Sequence, residues 1–367
     1  MQMLETIREY ALERLASDPE RAAVERRHAA RYLALAEEAD RHLLGRERNV
    51  WLSRLDTEHE NLRAAVERTI VAGDAQCALR LVSTLWRYWQ IRGHLTEGRR
   101  HIDRALGLPT AEQFPREREL GYAAAGSLAY WNGDLAKAGE HYRAGAALAR
   151  TNGDLARLSA ALYNLSFVGW SDATGAELPP GGHMWNPEVQ ATVEEALALA
   201  RQSGDRIAIA RALWALSMAE GERNNVDAIL PIVTPAVEIF REAGDLFDLA
   251  WALQAVAIFH LRKGNLEKAR EALGEQITLL LETRDLVGVS VALGDHLELA
   301  LAEGRRDKAI TLAGAAAAFR QSLGGGLPDF TNQIEHRQLN MTDADKPVWD
   351  AGFAMGLDEV VALALRR

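Results

Sequence analysis

The sequence predicts an all-α fold, a solenoid of helix hairpins, and three observations carry that prediction. Glycine followed by Asp or Asn recurs on a 20-residue beat, at Gly133-Asp134, Gly153-Asp154, Gly204-Asp205, Gly244-Asp245 and Gly264-Asn265. Each pair closes an Ala/Leu-rich stretch with helical spacing of its apolar residues, and Arg284-Asp285 and Gly304 keep the beat in altered form. No segment shows the two-residue alternation of a half-buried strand. The turn chemistry is specific: Gly takes the left-handed conformation that ends one helix, and Asp or Asn caps the next. Helices of about 15 residues joined in this way form hairpins that repeat about every 40 residues, a period that stacks into a solenoid.

The elements follow in order. Residues 4–16 place Leu4, Ile7, Ala11, Leu12 and Leu15 on one helical face, and Asp18-Pro19 ends that helix. A second helix is expected from Pro19 to Leu44 and a third from Val50 to Val71, before Gly73-Asp74. Residues 75–91, with Trp86 and Trp89, form a strongly apolar helix that Gly93 ends, and Leu95 to Leu106 is its short partner. Leu108-Pro109 through Phe114-Pro115 reads as a linker. Five hairpins are expected next: 117–131 with 135–150, 155–170 with 188–202, 206–221 with 226–242, 246–262 with 266–282, and 286–302 with 306–322. Gly153 to Gly204 spans 51 residues, and the excess lies in residues 171–188, whose three glycines and three prolines exclude a continued helix. Gly324-Gly325-Gly326-Leu327-Pro328 ends the array, and an amphipathic helix at Leu357–Leu365 is placed to cap its last apolar face.

Composition narrows the function classes. Of 367 residues, 48% are hydrophobic and 26% charged, as in ordinary globular proteins. The net charge of −10 is uneven: residues 1–107 carry 18 Lys/Arg against 17 Asp/Glu, leaving 24 against 35 for the remainder. An acidic repeat region repels phosphate backbones, so no direct nucleic-acid contact is expected of this chain. Arg21, Arg26, Arg27 and Arg31, and Arg92, Arg99, Arg100 and Arg104, are interleaved with Glu20, Glu25, Glu97 and Asp103, which reads as solvated helix faces. Cys77 stands alone, which excludes a disulfide framework and fits a cytoplasmic protein. Charges at Glu5, Arg8, Glu9, Glu13 and Arg14 break any leader-like apolar run, and no stretch is apolar enough to predict a membrane span.

Beyond periodicity, five segments carry a resemblance. MLETIREYALERL at the start, WLSRLDTEHENLRAAV (51–66) and LWRYWQIRGHLTEGRRHIDRAL (85–106) resemble the STAND-class ATPase transcriptional regulators of LuxR-like and SARP-like type. The closing AAAAFRQSLGGGLP and DEVVALAL resemble the end of that family's C-terminal tetratricopeptide-like array. The resemblance implies a right-handed tetratricopeptide-like superhelix. Residues 1–18 would be the end of a winged helix, 19–108 an N-terminal helical adaptor, 109–323 the repeats with the insertion at 171–188, and 324–367 a C-terminal cap. The family's ATPase requires a Gly-rich loop bearing Lys, and no Gly-Lys pair occurs here. ATP hydrolysis and promoter binding therefore do not transfer, no cofactor is implied, and the chain reads as a cut fragment or an orphaned array.

In tetratricopeptide hairpins the first helix of each pair lines the concave face. Laid on this sequence, those positions are Tyr130, Trp131, Tyr163, Phe167, Trp170, Trp214, Met218, Trp251, Gln254 and Ile258, with Trp185 in the insertion beside them. Such aromatics offer a groove for a peptide, a partner helix or a planar metabolite, and they also suit ordinary inter-helix core. His183, Met184 and Trp185 would let the insertion close as a lid, against the alternative of a tolerated insertion. No metal is expected, since HExxH and CxxC are absent and Asp56, His59 and Arg63 suit a hydrogen-bond network. No local motif proposes catalysis, and Ser127, Glu298 and His260 would meet only through solenoid curvature.

The expected function is a non-catalytic sensor or scaffold array that binds a protein, a peptide or an apolar small-molecule effector on its aromatic face. Its partner in a longer regulator would be the ATPase module, reached through the Trp86/Trp89 helix docking upstream. The alternatives are a stand-alone scaffold or homodimerising adaptor, and a helical small-molecule carrier or enzyme using the same groove.

Overall fold

The computed structural model describes residues 18–172, 186–322 and 339–366, together with Arg14. Among these residues there is no strand, and the α-helices are arranged as tetratricopeptide-like hairpins. The N-terminal region comprises α1 (Arg21–Asp40), α2 (Arg48–Thr57), α3 (His59–Val71), α4 (Ala75–Arg92) and α5 (Leu95–Leu106). Five hairpins follow: α6 (Pro115–Trp131) with α7 (Leu135–Asn152), α8 (Leu155–Asp172) with α9 (Pro187–Ser203), α10 (Arg206–Glu222) with α11 (Val226–Ala243), α12 (Leu246–Arg262) with α13 (Leu266–Glu282), and α14 (Leu286–Ala302) with α15 (Arg306–Ser322). Two short helices, α16 (Lys346–Phe353) and α17 (Leu357–Leu365), close the chain.

The turns are built as the residue types dictate. Gly244 sits at φ 69°, where a side chain would be strained, and Asp245 caps α12 by accepting from the Asp248 amide at 3.0 Å. Arg284 occupies the same place in the next turn between hairpins, at φ 51° without glycine's freedom. Asn224, at φ 61°, supplies the corresponding turn within the α10–α11 hairpin. Pro231 and Pro235 lie inside α11, where each removes a backbone donor. The helix persists because Ile229, Val233, Ala236 and Phe240 are fully buried along one face.

Within each hairpin the two helices pack along their length. The first helices α6, α8, α10, α12 and α14 also touch one another in succession, so they form the inner row. The cores are made of Ala and Leu with a few large residues, and Phe240, Leu273 and Ile277 lose essentially all exposure. Cross-hairpin ion pairs such as Arg241–Glu275 at 2.6 Å and Arg150–Glu195 at 2.9 Å line the outside, where each is worth about 0–1 kcal/mol.

Three expectations need correction. The single helix expected over 50–71 is broken at Glu58, whose φ of −102° and ψ of 8° end α2 and begin α3. The helix expected to Leu44 ends at Asp40, because residues 44–49 turn away to meet the far end of the array. On α4 the two tryptophans are placed differently. Trp89 is buried against Gly98, where an added Cβ would lie 2.7 Å from the indole, and Trp86 faces the cavity described below. The C-terminal cap also holds more than the expected helix at 357–365. The unforeseen α16 crosses α15 backbone to backbone, with a Cβ added at Gly352 falling 2.0 Å from the Thr311 carbonyl oxygen.

The N-terminal region returns to touch the array at a distance in sequence. The Leu44 carbonyl accepts from the amides of Leu246 at 3.1 Å and Phe247 at 3.4 Å, two donors at the start of α12 that its own helix leaves unsatisfied. Asn49 Nδ2 donates to the Glu282 carbonyl at 3.0 Å, satisfying an acceptor at the end of α13. Arg48 is buried, and its charge acts on the buried Asp285 carboxyl. This seam lays residues 44–49 across the turns at Gly244 and Arg284.

Candidate ligand cavity

Where α4 faces the inner row, the molecule forms an open-sided cavity of about 230 Å³. Its walls come from six helices: Trp86 and Arg87 of α4, Tyr130 and Trp131 of α6, Tyr142 of α7, Tyr163 and Phe167 of α8, Trp214 and Arg211 of α10, and Phe247, Asp248 and Trp251 of α12. Periodicity explains the convergence. Tyr163 and Phe167 are one turn apart on α8, and Phe247 and Trp251 one turn apart on α12, so each helix presents its pair on the inward face. The rings pack on one another. Tyr163 and Phe167 meet edge to face at 5.0 Å, Phe167 and Trp214 lie 5.5 Å apart, and Trp214 and Trp251 lie 6.3 Å apart.

The charged groups divide into a paired and an unpaired cation. Arg211 Nε donates to Asp248 Oδ2 at 2.6 Å, with Asp245 Oδ2 at 3.7 Å from its Nη2. Burial opposes the Arg211 charge, and the Asp248 and Asp245 carboxylates more than offset it, so its pKa stands above the ordinary value. Asp245 is pushed up to about 7 by burial and by the neighbouring Asp248. Arg87 lies over two rings, its guanidinium carbon 4.4 Å from the Trp86 centroid and 5.2 Å from that of Phe247. No described carboxylate bonds to it, and burial together with Arg211 lowers its pKa.

Polar donors remain unused at the walls. Trp214 is 8% exposed, and its indole Nε1–H is buried without a partner. The Tyr130 and Tyr163 hydroxyls meet no partner among the described residues, and burial raises both pKa values, Tyr130 to about 12. Ser127, also at the wall, is spoken for: it accepts from the Tyr142 hydroxyl at 3.3 Å and donates to the Ala123 carbonyl at 2.9 Å.

Six of the residues singled out from sequence thus share one cavity: Tyr130, Trp131, Tyr163, Phe167, Trp214 and Trp251. Met218 packs instead on the apolar core of the α10–α12 region, and Gln254 donates to Asp295 at 2.8 Å, away from the walls. Trp170 lies in α8 with its side chain outside the described set, and Trp185 with the expected lid lies outside the described residues. Sequence reasoning missed Arg87, Arg211, Phe247 and Asp248. Arg211 and Asp248 each sit three residues before a tryptophan already placed on the inner face, so helical spacing alone would have found them. Arg87 carried no such signal, because it enters from a helix outside the repeats.

A second cluster joins His59, His94 and Glu97, whose potential ligand atoms lie within 4.8 Å of one another. The two imidazoles stack at 4.6 Å and the Tyr88 hydroxyl lies 3.1 Å from His59 Nδ1. The expected network of His59 with Asp56 and Arg63 is redrawn: Asp56 pairs with Arg92 at 2.6 Å and Arg63 with Glu60 at 2.6 Å.

These features define a tetratricopeptide-like helical repeat protein with an aromatic cavity at its inner row. No family model matches the chain. Over 236 residues, 64% of this chain, it is 30% identical to proteins provisionally named HTH-type transcriptional regulators from Mycobacterium tuberculosis and Mycobacterium bovis. The chain spans about a fifth of those relatives' length, since the match covers 21% of each. Among solved structures, a Rap protein complexed with competence and sporulation factor is similar over 88% of this chain and 99% of its own, with a TM-score of 0.51 and 12% identity, a likeness of fold. No described helix is long and apolar enough to cross a membrane.

Proposed function

We propose that this chain is the effector-sensing array of a transcriptional regulator, working by binding in the inner-row cavity. The observation that carries the reading is the origin of the cavity walls: aromatic side chains from the N-terminal region and from four repeat hairpins meet around one space. A ligand there touches both bodies at once, so it favours the arrangement in which residues 44–49 stay docked on the far turns. Such a ligand biases a two-state equilibrium only through its preference for one arrangement, and a bridging site supplies that preference.

The sequence likeness to HTH-type regulators supports the regulatory half of this proposal, and the Rap likeness supports the use of such a solenoid to hold a factor. In this reading residues 19–108 are the adaptor, 109–323 the repeats and 324–367 the cap, with an ATPase module of STAND type as the partner that receives the signal in the cytoplasm. Reading the coding sequence upstream of residue 1 tests that partner: an in-frame P-loop would support it, and a true start at Met1 would favour a stand-alone scaffold. Binding without catalysis fits the site, since Ser127 is bonded to Tyr142 and Ala123 and not to His260.

A thermal-shift screen of small molecules and short peptides tests the proposal on the intact chain, run in parallel on Trp214→Ala. True effectors raise the wild-type melting temperature by several degrees and leave Trp214→Ala unmoved. A screen in which every stabilising compound acts equally on both proteins contradicts the cavity as the site.

A further inference from the structure

The cavity wall carries several donors without partners, beside the Asn164 amide and the tyrosine hydroxyls, which can also accept. Its one carboxylate bonded at the wall, Asp248, is taken by Arg211 at 2.6 Å. Against that stand the Arg87 guanidinium, the buried Trp214 Nε1–H and the Tyr130 and Tyr163 hydroxyls, none with a hydrogen-bond partner among the described residues. A guanidinium presents five N–H donors in a planar fork that matches a carboxylate, and it cannot shed its proton to escape desolvation as other groups do. Here its guanidinium carbon lies over the Trp86 and Phe247 rings, at 4.4 and 5.2 Å from their centroids, and no described acceptor takes its N–H donors. Asp248, Asp40 and Asp245 act on the part-buried Arg87 charge without hydrogen-bonding to it, so its fork of donors stays open to an acceptor that arrives with the ligand.

We infer that the cavity binds an organic monocarboxylate with a flat apolar body, its carboxylate bidentate on Arg87 and its body among Tyr163, Phe167 and Trp214. The inference rests on the reading of this cavity as the effector site and adds the chemical class. A single negative charge suits the surroundings, because Asp40, Asp245 and Asp248 all act on Arg87 and oppose a dianion such as phosphate. The volume of about 230 Å³ sets the size at a small aromatic acid or the last residue of a peptide.

Isothermal titration calorimetry on the full chain decides it, with trans-cinnamate, its neutral isostere trans-cinnamamide, and N-acetyl-alanyl-phenylalanine as acid and as amide. The expected result is that cinnamate binds at least tenfold more tightly than cinnamamide. Arg87→Met abolishes that preference, bringing acid and amide within twofold, while Arg87→Lys retains part of it. A matching preference for the dipeptide acid assigns the carboxylate to a peptide terminus, and its absence assigns it to a free small acid. Equal binding of acid and amide to wild type overturns the inference, as does an acid preference that survives in Arg87→Met. If acid and amide bind equally and Trp214→Ala weakens both, the cavity stands and only the carboxylate falls. If no probe binds, the inference fails outright. Should Arg87→Met not fold, the wild-type ratio of acid to amide decides alone.

Discussion

Neighbouring hairpins hold each other through apolar side chains of nearby sequence, with Phe240, Leu273 and Ile277 wholly buried between helices. Across the seam the contacts are polar: two α12 amides share the Leu44 carbonyl, Asn49 caps α13, and Arg48 stands near Asp285. The partners in the seam are about 200 residues apart, so they meet only once the intervening hairpins have stacked. The difference teaches where this molecule is rigid and where it opens. The array is therefore expected to unfold as a cooperative stack and the polar seam to open at lower cost. Phe247 belongs to both, its amide bonded to Leu44 and its side chain on the cavity wall, and we propose that this links the cavity to the seam.

Phe240→Ala gives the largest effect expected of a change in the array. It leaves a cavity in the α10–α12 core and lowers global stability by about 4 kcal/mol. Chemical denaturation would show this as a shifted midpoint with an unchanged slope, and a loss under about 1 kcal/mol would mean the stack is not cooperative there. A smaller effect of opposite sign is expected at the beat itself. Arg284→Gly relieves the left-handed backbone at φ 51° and raises stability by about 1 kcal/mol. A neutral or destabilising result would show that the Arg284 side chain makes up for its strain.

The array was legible because its rules are local. The Gly-Asp beat and helical spacing place α12 at 246–262 and α13 at 266–282 on the observed bounds, and the beat was readable at Arg284 even without glycine. Where tertiary contact decides, legibility fails. The break at Glu58 has no Gly or Pro to announce it. The glycines of the cap look like helix breakers, yet Gly352 is there to let α16 approach the Thr311 carbonyl. Within the candidate site the aromatic inner face was readable from repeat geometry. Arg87 was not, because its place depends on how α4 packs across the open side of the array.

The central claim is that the seam opens as a unit separate from the array. Hydrogen exchange of single amides measures this directly, comparing wild type with Arg48→Met/Asp285→Asn, in which Asn keeps the cap that Asp285 provides to the Gly288 amide. The account predicts at least tenfold faster exchange at the Leu246 and Phe247 amides in the variant, with the amides of Phe240 and Leu253 unchanged. Equal acceleration at all four would show that seam and array unfold together and would contradict it.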